Sequence, residues 1–460
     1  MRTQLGSPNH AVAMPVQQGL YKQGDIPIQT PQHQTDYDPL YTIILEGEQW
    51  TLPRRYQIEK LKGEGSYGTV VSAINLETGK RVAIKKNRDI FPAYLNNIVP
   101  VDKNKQKKPR CIVPQHRSAI AQLRVLREVK VLRHLGSHPN ITHLLDLVLP
   151  ESFEKFSDVY IVTDLMETDL MGIFENRIQL SSHHIQFVMF QLLSAIQHLH
   201  NSDVLHRDIK PENILLNSNC TLRLCDFGLA RACNFEVTNE GEEQTTRLST
   251  NYVQTRQYRA PELLLNADRV GKSTDMWSVG CIMYELFNTG RVLFDGTSTQ
   301  DQIGRIIRFM GTPSECEMNG SNAGIEYVKS LPYVEPNKGW LDQHLSKANV
   351  SPAALDLIKR ILTWDCKKRL SASEALDHEY FATIRGSDNF SQYSVGKMDF
   401  SFESKLVVTD SDDLMTYGSL TKRECYDSIL DFNGLGDDSN NDTTKTSLLQ
   451  KMKNIFKKKV

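Results

Sequence analysis

Two short polar segments in the middle of the chain carry its clearest chemical signal. His206-Arg207-Asp208-Ile209-Lys210-Pro211-Glu212-Asn213 sets a carboxylate five residues before an amide, and Asp226-Phe227-Gly228 follows thirteen residues after Asn213. That spacing lets one loop present Asp208 as a base and Asn213 as a metal ligand, with Asp226 supplying a second, negatively charged metal contact. Lys210 lies where an ammonium could neutralise a transferring phosphoryl group. These residues suit transfer of a phosphoryl group, held with Mg2+, onto a hydroxyl.

Two upstream segments complete a phosphate site. Gly63-Glu64-Gly65-Ser66-Tyr67-Gly68-Thr69-Val70 fits G-x-G-x-x-G-x-V and lies between two strand-like runs, where a dinucleotide fingerprint would open a helix. Glycine lets the hairpin backbone approach phosphate oxygens that a Cβ would hold off. Val82-Ala83-Ile84-Lys85 follows at strand spacing, so Lys85 can reach the α- and β-phosphates of a nucleotide, with Glu128 on the next helical run as its carboxylate partner. A structural hairpin, a surface lysine or an ordinary Asp-Gly turn would each explain one segment. None explains their joint order, which closes on Ala260-Pro261-Glu262.

The elements that must hold these residues are readable from periodicity. Residues 1–40 are rich in Gln, Pro and His with few aliphatic side chains, too little apolar surface to offset the entropy of ordering, and the arm is expected to stay mostly disordered through residue 52. Tyr56 to Lys86 alternates as antiparallel strands do, with turns at 63–68 and 77–79. A basic loop at about 89–114 separates this sheet from a helix in which Ile120, Leu123, Leu126, Val129 and Leu132 share a face. Beyond Asp164 the apolar periods are mostly helical. A strand-rich front and a helix-rich back imply an α+β fold of two lobes about a cleft. At the end, 433–446 reads as a flexible linker and 447–460 as a basic amphipathic helix, with Leu448, Leu449, Met452, Ile455 and Phe456 on one face. That helix is either a peripheral contact for anionic membrane or a solvated tail.

Composition narrows the class further. Of 460 residues, 54 are Lys or Arg and 55 Asp or Glu, a formal charge of -1 that gives no reason to expect nucleic acid as a partner. Eight cysteines are scattered without CxxC pairing, so neither a disulfide framework nor a zinc site is expected. The first residues lack the apolar core of a secretory signal, and no apolar run reaches membrane-spanning length, which leads to the expectation of a cytoplasmic or nuclear protein.

On these motifs, residues from about 53 to 381 resemble the catalytic domain of eukaryotic protein kinases, with a β-rich small lobe at 53–166 and a helical large lobe at 167–381. The resemblance implies ATP and Mg2+ as cofactors, an ion pair between Glu262 and Arg369, and Asp275 bracing the catalytic loop. The run from Asp158 to Leu170 is similar to the hinge of mitogen-activated protein kinases. That similarity implies Thr163 as gatekeeper, backbone groups of Asp164 and Met166 for adenine, Asp169 towards the ribose, and Val70, Ala83 and Leu215 around the purine. Thr250-Asn251-Tyr252 stands where this family carries its doubly phosphorylated Thr-x-Tyr pair. The resemblance then implies phospho-Thr250 held by Arg127, Arg207 and Arg231, and phospho-Tyr252 by Arg256 and Arg259. Residues 382–432 resemble the C-terminal extension that returns to the small lobe.

Partners follow from the same likeness: protein substrates phosphorylated on Ser or Thr, preferably before Pro, and an upstream activating kinase, with room for an activator protein. A monomer is expected. Gln254 and Gln257 depart from the family pattern beside the site that reads the residue after the target, and the acidic docking patch beyond Phe381 is nearly absent. The Thr-Asn-Tyr triplet, the long insertion before Glu128 and the missing patch are most similar to the sporulation-specific branch of fungal MAP kinases. A catalytically inactive scaffold and a cyclin-dependent-like kinase are the alternatives. The intact set of base, lysine and metal ligands speaks against the first, and the Thr-x-Tyr pair against the second.

Overall fold

The computed structural model describes residues 38–65, 68–91, 115–136, 138–233, 255–267, 270–336, 339–346, 348, 350–385, 395–404 and 414–435. The chain begins there with a hairpin, β1 (Leu40–Leu45) on β2 (Glu48–Pro53), Ile43 opposite Trp50. Five further strands follow, β3 (Tyr56–Gly65), β4 (Gly68–Asn75), β5 (Arg81–Asn87), β6 (Leu144–Leu147) and β7 (Val159–Asp164). They form one antiparallel sheet in the order β3-β4-β5-β7-β6.

The hairpin corrects one expectation, since residues 40–52 belong to the arm read as mostly disordered. Trp50 and Leu52 are 1% exposed and pack with Tyr56, Val71, Val82, Ile84 and Val162 against the outer face of the sheet. Without the hairpin those β-branched side chains would face water, so two short polar-flanked strands are ordered by what they cover rather than by their own propensity.

Alternation along β5 explains the other face. Val82 and Ile84 point into the outer core, which turns Ala83 and Lys85 towards the cleft. Behind the sheet lies α1 (Gln115–Leu135), whose Val125, Leu126, Val129 and Leu132 are buried. The opposite side of the same helix carries Arg124, Arg127 and Glu128 towards the cleft and the lobe below, where Arg127 reaches Gly228 O at 2.8 Å.

The large lobe is helical. It comprises α2 (Leu170–Glu175), α3 (Ser182–Asn201), α4 (Pro261–Leu264), α5 (Ser273–Phe287), α6 (Thr299–Met310), α7 (Asn322–Ser330), α8 (Trp340–His344), α9 (Pro352–Ile361) and α10 (Ala372–Leu376). Central α3 is apolar on most of its surface, buries residues from Ile185 to His200, and starts where Ser181 Oγ accepts from His184 N at 3.2 Å. Short strand pairs at the front of this lobe carry the polar loops: β8 (Thr168–Asp169), β10 (Ile214–Leu216) and β11 (Leu222–Leu224) form one sheet, and β9 (Val204–Leu205) pairs with β12 (Arg231–Ala232).

After the lobe the chain returns through α11 (Ser401–Ser404) to α12 (Leu414–Phe432), which lies along α1. Cys425, Tyr426 and Ile429 are buried there, and Tyr426 meets Phe153 edge-on at 5.2 Å. Ion pairs at 2.7 Å join Arg133 to Asp431 and Lys130 to Glu424. Both are partly exposed, so the apolar burial contributes more than these pairs do. The expected basic insertion, the linker and the C-terminal basic helix lie, wholly or nearly so, outside the described residues.

Candidate active site

Lys85 is fixed by the sheet register, opposite Val70 on β4 and Ile161 on β7. Its Nζ donates to both carboxylate oxygens of Glu128, at 2.9 and 2.8 Å, and lies 3.9 Å from Asp226 Oδ1. Burial disfavours the ammonium, but the carboxylates of Glu128 and Asp226 outweigh it and hold the lysine pKa above its ordinary value. Burial likewise pushes against ionisation of Asp226, yet Lys85 and His206 keep its carboxyl below the usual aspartate range. The carboxylate is therefore charged near neutral pH.

The loop after β9 is held from below. Asp275, at the start of α5, accepts from the backbone N–H groups of His206 and Arg207 at 2.9 and 2.8 Å and from His200 Nε2 at 3.0 Å. This lets Arg207 adopt its left-handed φ of 68°. Within the loop, Asn213 Nδ2 donates to Asp208 O at 2.8 Å and to Asp208 Oδ2 at 3.3 Å, and Lys210 Nζ lies 2.9 Å from the same oxygen. Burial lowers the Lys210 pKa and Asp208 raises it, with a net rise. Cys225 N donates to Asn213 O at 3.0 Å, which ties the Asn213 loop to the Asp226 turn. Cys225 is half-buried, its thiol pushed up by burial.

Lys85, Glu128, Asp208, Asp226 and Gly68 thus line one cavity of about 160 Å³ between the lobes. Among the described residues no three His, Cys, Asp or Glu side chains cluster to hold a metal. Mg2+ does not ask for such a cage, being bound through one or two protein oxygen ligands together with water and phosphate. Asn213 and Asp226 fit that need, since the Asn213 amide nitrogen is turned to Asp208 and its carbonyl oxygen is left for another partner. When bound, Mg2+ neutralises charge on the nucleotide's phosphate oxygens.

Gly68 of the glycine hairpin lines this cavity. Gly68 has φ of 140°, and a Cβ there would strike the Lys86 carbonyl, whereas at Gly63 it would meet nothing within 4 Å. Replacing Gly68 by Ala is expected to raise KM for ATP by about five- to twentyfold, the equivalent of roughly 1–2 kcal/mol of backbone strain. Initial rates over a range of ATP check this, and an unchanged KM would remove the steric argument.

Other predicted positions are placed differently. Val70, Ala83 and Leu215 stand half-buried on β4, β5 and β10, and Thr163 pairs with Ala83 across β5 and β7. Asp164, at the end of β7, accepts from His143 N at 3.2 Å and pairs with Arg223 at 3.3 Å, and Met166 after it is buried. Asp169 Oδ1 accepts from Gly172 N at 2.8 Å and so caps α2, a structural use that the sequence reading did not include. Arg256 donates to Thr297 O at 2.8 Å, and Arg259 is buried. Gly65 ends β3, while Thr250 and Tyr252 lie outside the described residues.

Arg127 and Arg231 do meet a carboxylate, but one that sequence reading missed. Glu403 on α11 accepts from Arg127 Nε at 2.7 Å and is also paired with Arg231. Its one local signal is the pair Phe400 and Phe402, whose rings stack at 5.9 Å and anchor the turn.

The protein kinase domain model matches residues 98–381, a span that starts downstream of the glycine hairpin and takes in the catalytic loop, the Asp226 turn and the Glu262 region. Mitogen-activated protein kinase 14 of Xenopus laevis is 37% identical over 375 residues, covering 81% of this chain and 91% of that one. The chain belongs to the mitogen-activated protein kinases. Mitogen-activated protein kinase 7 of Arabidopsis thaliana is 40% identical, with 70% of this chain and 77% of that one covered. The mitogen-activated protein kinase mpkA of Aspergillus fumigatus is 35% identical over 84% and 81%. As a member of the family this MAP kinase is a protein serine/threonine kinase that uses ATP and Mg2+, acts on protein substrates and is activated by an upstream kinase. The ion pair expected between Glu262 and Arg369 forms in the large lobe, where Arg369 Nη1 and Nη2 meet Glu262 Oε1 and Oε2 at 2.8 and 3.2 Å.

Proposed function

We propose that this MAP kinase is switched on by phosphorylation of both Thr250 and Tyr252, that it favours Ser/Thr-Pro targets, and that it belongs to the sporulation-specific fungal branch acting in spore-wall assembly. Asp208 accepts the proton of the substrate hydroxyl as that oxygen attacks the γ-phosphorus of ATP. Lys210 offsets the charge that develops on the transferring oxygens, and the bond to the β-phosphate oxygen breaks to leave ADP. Lys85, held by Glu128, orients the α- and β-phosphates, and Asn213 and Asp226 hold Mg2+. Cytoplasmic and nuclear action as a monomer accompanies this reading.

The observation that carries the activation part is the anion site itself. Arg127 on α1 and Arg231 on β12 bond one carboxylate, and Arg207 of the catalytic loop feels the same charge. A phosphate with three acceptor oxygens and a charge of roughly −1.5 to −2 is a better ligand for three guanidinium groups than a single carboxylate. The sporulation assignment is supported by the Thr-Asn-Tyr triplet and the long insertion before Glu128.

Purified protein, Thr250→Ala, Tyr252→Phe and Asp208→Asn incubated with ATP and a peptide library test the reading. Activity is expected to need both loop residues in the activated enzyme and to select Pro after the target. Loss in Asp208→Asn alone would remove the loop argument, and expression that fails to restore spore walls in a fungus lacking its sporulation kinase would remove the branch assignment.

A further inference from the structure

The anion site that the proposed activation needs is filled by the chain's own Glu403. Its carboxylate bonds Arg127 Nε at 2.7 Å and pairs with Arg231, and its charge favours the ionised form of Arg207 against the burial that opposes it. Two elements are joined through that carboxylate, α1 and the strand β12 that opens the segment leading to Thr250, while Arg207 of the catalytic loop only feels its charge. Among the described residues, Arg127 Nη2 and Arg207 Nε are left over as buried donors without a hydrogen-bond partner. A carboxylate has two oxygens, and a phosphate would add a third for those donors.

Glu403 does not arrive there by a loose surface contact. Met398 N donates to Ser202 O at 2.9 Å, and Lys397 pairs with Asp203 at 2.6 Å, tying the strap to the foot of α3. Higher up, Phe402 is buried with Lys130 Nζ 5.1 Å above its ring, and His134 Nε2 lies 2.8 Å from Gly396 O. The strap thus spans from the large lobe to α1, and Arg127 is the neighbour of Glu128 in sequence. A hold on Arg127 is a hold on the helix that presents Glu128 to Lys85, and that pair is closed at 2.8 Å.

We propose that Glu403 is a resident stand-in for the phosphate of Thr250: it keeps α1 docked and the Lys85–Glu128 pair closed in the unphosphorylated chain, giving a basal activity, and it yields the site when Thr250 is phosphorylated. Glu403 is a positioning residue, acting through Arg127 and α1. The inference rests on the reading of the arginine cluster as the phosphate site.

The test compares full-length wild type, Glu403→Gln and Glu403→Asp, each as phosphatase-treated protein and as protein phosphorylated on Thr250, with peptide kinetics and hydrogen exchange of 119–135. In the unphosphorylated state Glu403→Gln is expected to lower kcat by about tenfold, the scale of one charged hydrogen bond, and to speed exchange in α1, with Glu403→Asp partly restoring both. In the Thr250-phosphorylated state the variants should match wild type. Equal losses in both states would make Glu403 merely structural, and a rise in unphosphorylated activity would make it a brake; either overturns the proposal. No change in the unphosphorylated state overturns it too. If phosphorylation of Thr250 fails to raise wild-type activity, the phosphate-site reading has failed instead, and the two failures are told apart by the wild-type arm alone.

Discussion

Replacing Asp208 by Asn is expected to lower kcat by about 10²–10⁴-fold, the usual contribution of a positioned acid–base group, while leaving ATP affinity close to that of wild type. The substitution keeps the shape of the side chain and removes its ability to take a proton. It also removes the counter-charge that faces Lys210 at 2.9 Å, so some loss arises from a displaced lysine as well as from the missing base. The Asn213 bond to the Asp208 backbone carbonyl does not depend on the side chain, and the loop stays braced by Asp275, so the fold is expected to persist. Single-turnover rates with saturating ATP, together with nucleotide affinity and a melting curve, separate these effects. A rise in KM for ATP with kcat unchanged would show that Asp208 serves nucleotide binding and not the transfer step.

Which parts of this arrangement could be read beforehand depended on distance along the chain. The Gly63–Val70 hairpin, Lys85, Asp208 with Asn213, and Asp226 each lie in a segment whose spacing is itself the signal, and the fold brings Gly68, Lys85, Asp208 and Asp226 to one cavity. Glu128 needed only helical periodicity, since it is the one carboxylate in the run Gln115–Leu135. The hairpin at 40–53 was missed because its strands are only six residues each and directly follow a Gln- and Pro-rich arm, and its order comes from covering Val71, Val82 and Ile84, which no local pattern records. Glu403 was missed for a stronger version of the same reason. Its partner Arg127 is 276 residues away, and nothing near Glu403 in sequence marks it as the counter-charge of a distant arginine. Asp169 shows the reverse case, a residue whose family role hid an ordinary one as the cap of α2.

The second large effect concerns stability and tests the large lobe independently of chemistry. Arg369 and Glu262 are 0% and 2% exposed, and every remaining polar atom of the pair has a neighbour: Arg369 also donates to Ser273 O at 2.6 Å and Thr363 O at 2.9 Å, and Glu262 accepts from Thr274 Oγ1 at 3.2 Å. The guanidinium also stacks 5.1 Å from the Trp277 ring, in the middle of the α5 core. Such a pair does not by itself make a protein stable, because desolvating two charges offsets most of their attraction, but stranding one of them is costly. Arg369→Met leaves a buried carboxylate with only Thr274 to satisfy it, and a loss of about 3–5 kcal/mol is expected. Glu262→Gln leaves a buried guanidinium with its carbonyl acceptors and should cost less. The double variant Arg369→Met, Glu262→Gln should be more stable than Arg369→Met alone, because no charge remains uncompensated and the two substitutions act on one contact. Urea denaturation of the four proteins measures this cycle, and strict additivity would mean that the two side chains, although in contact, do not depend on one another.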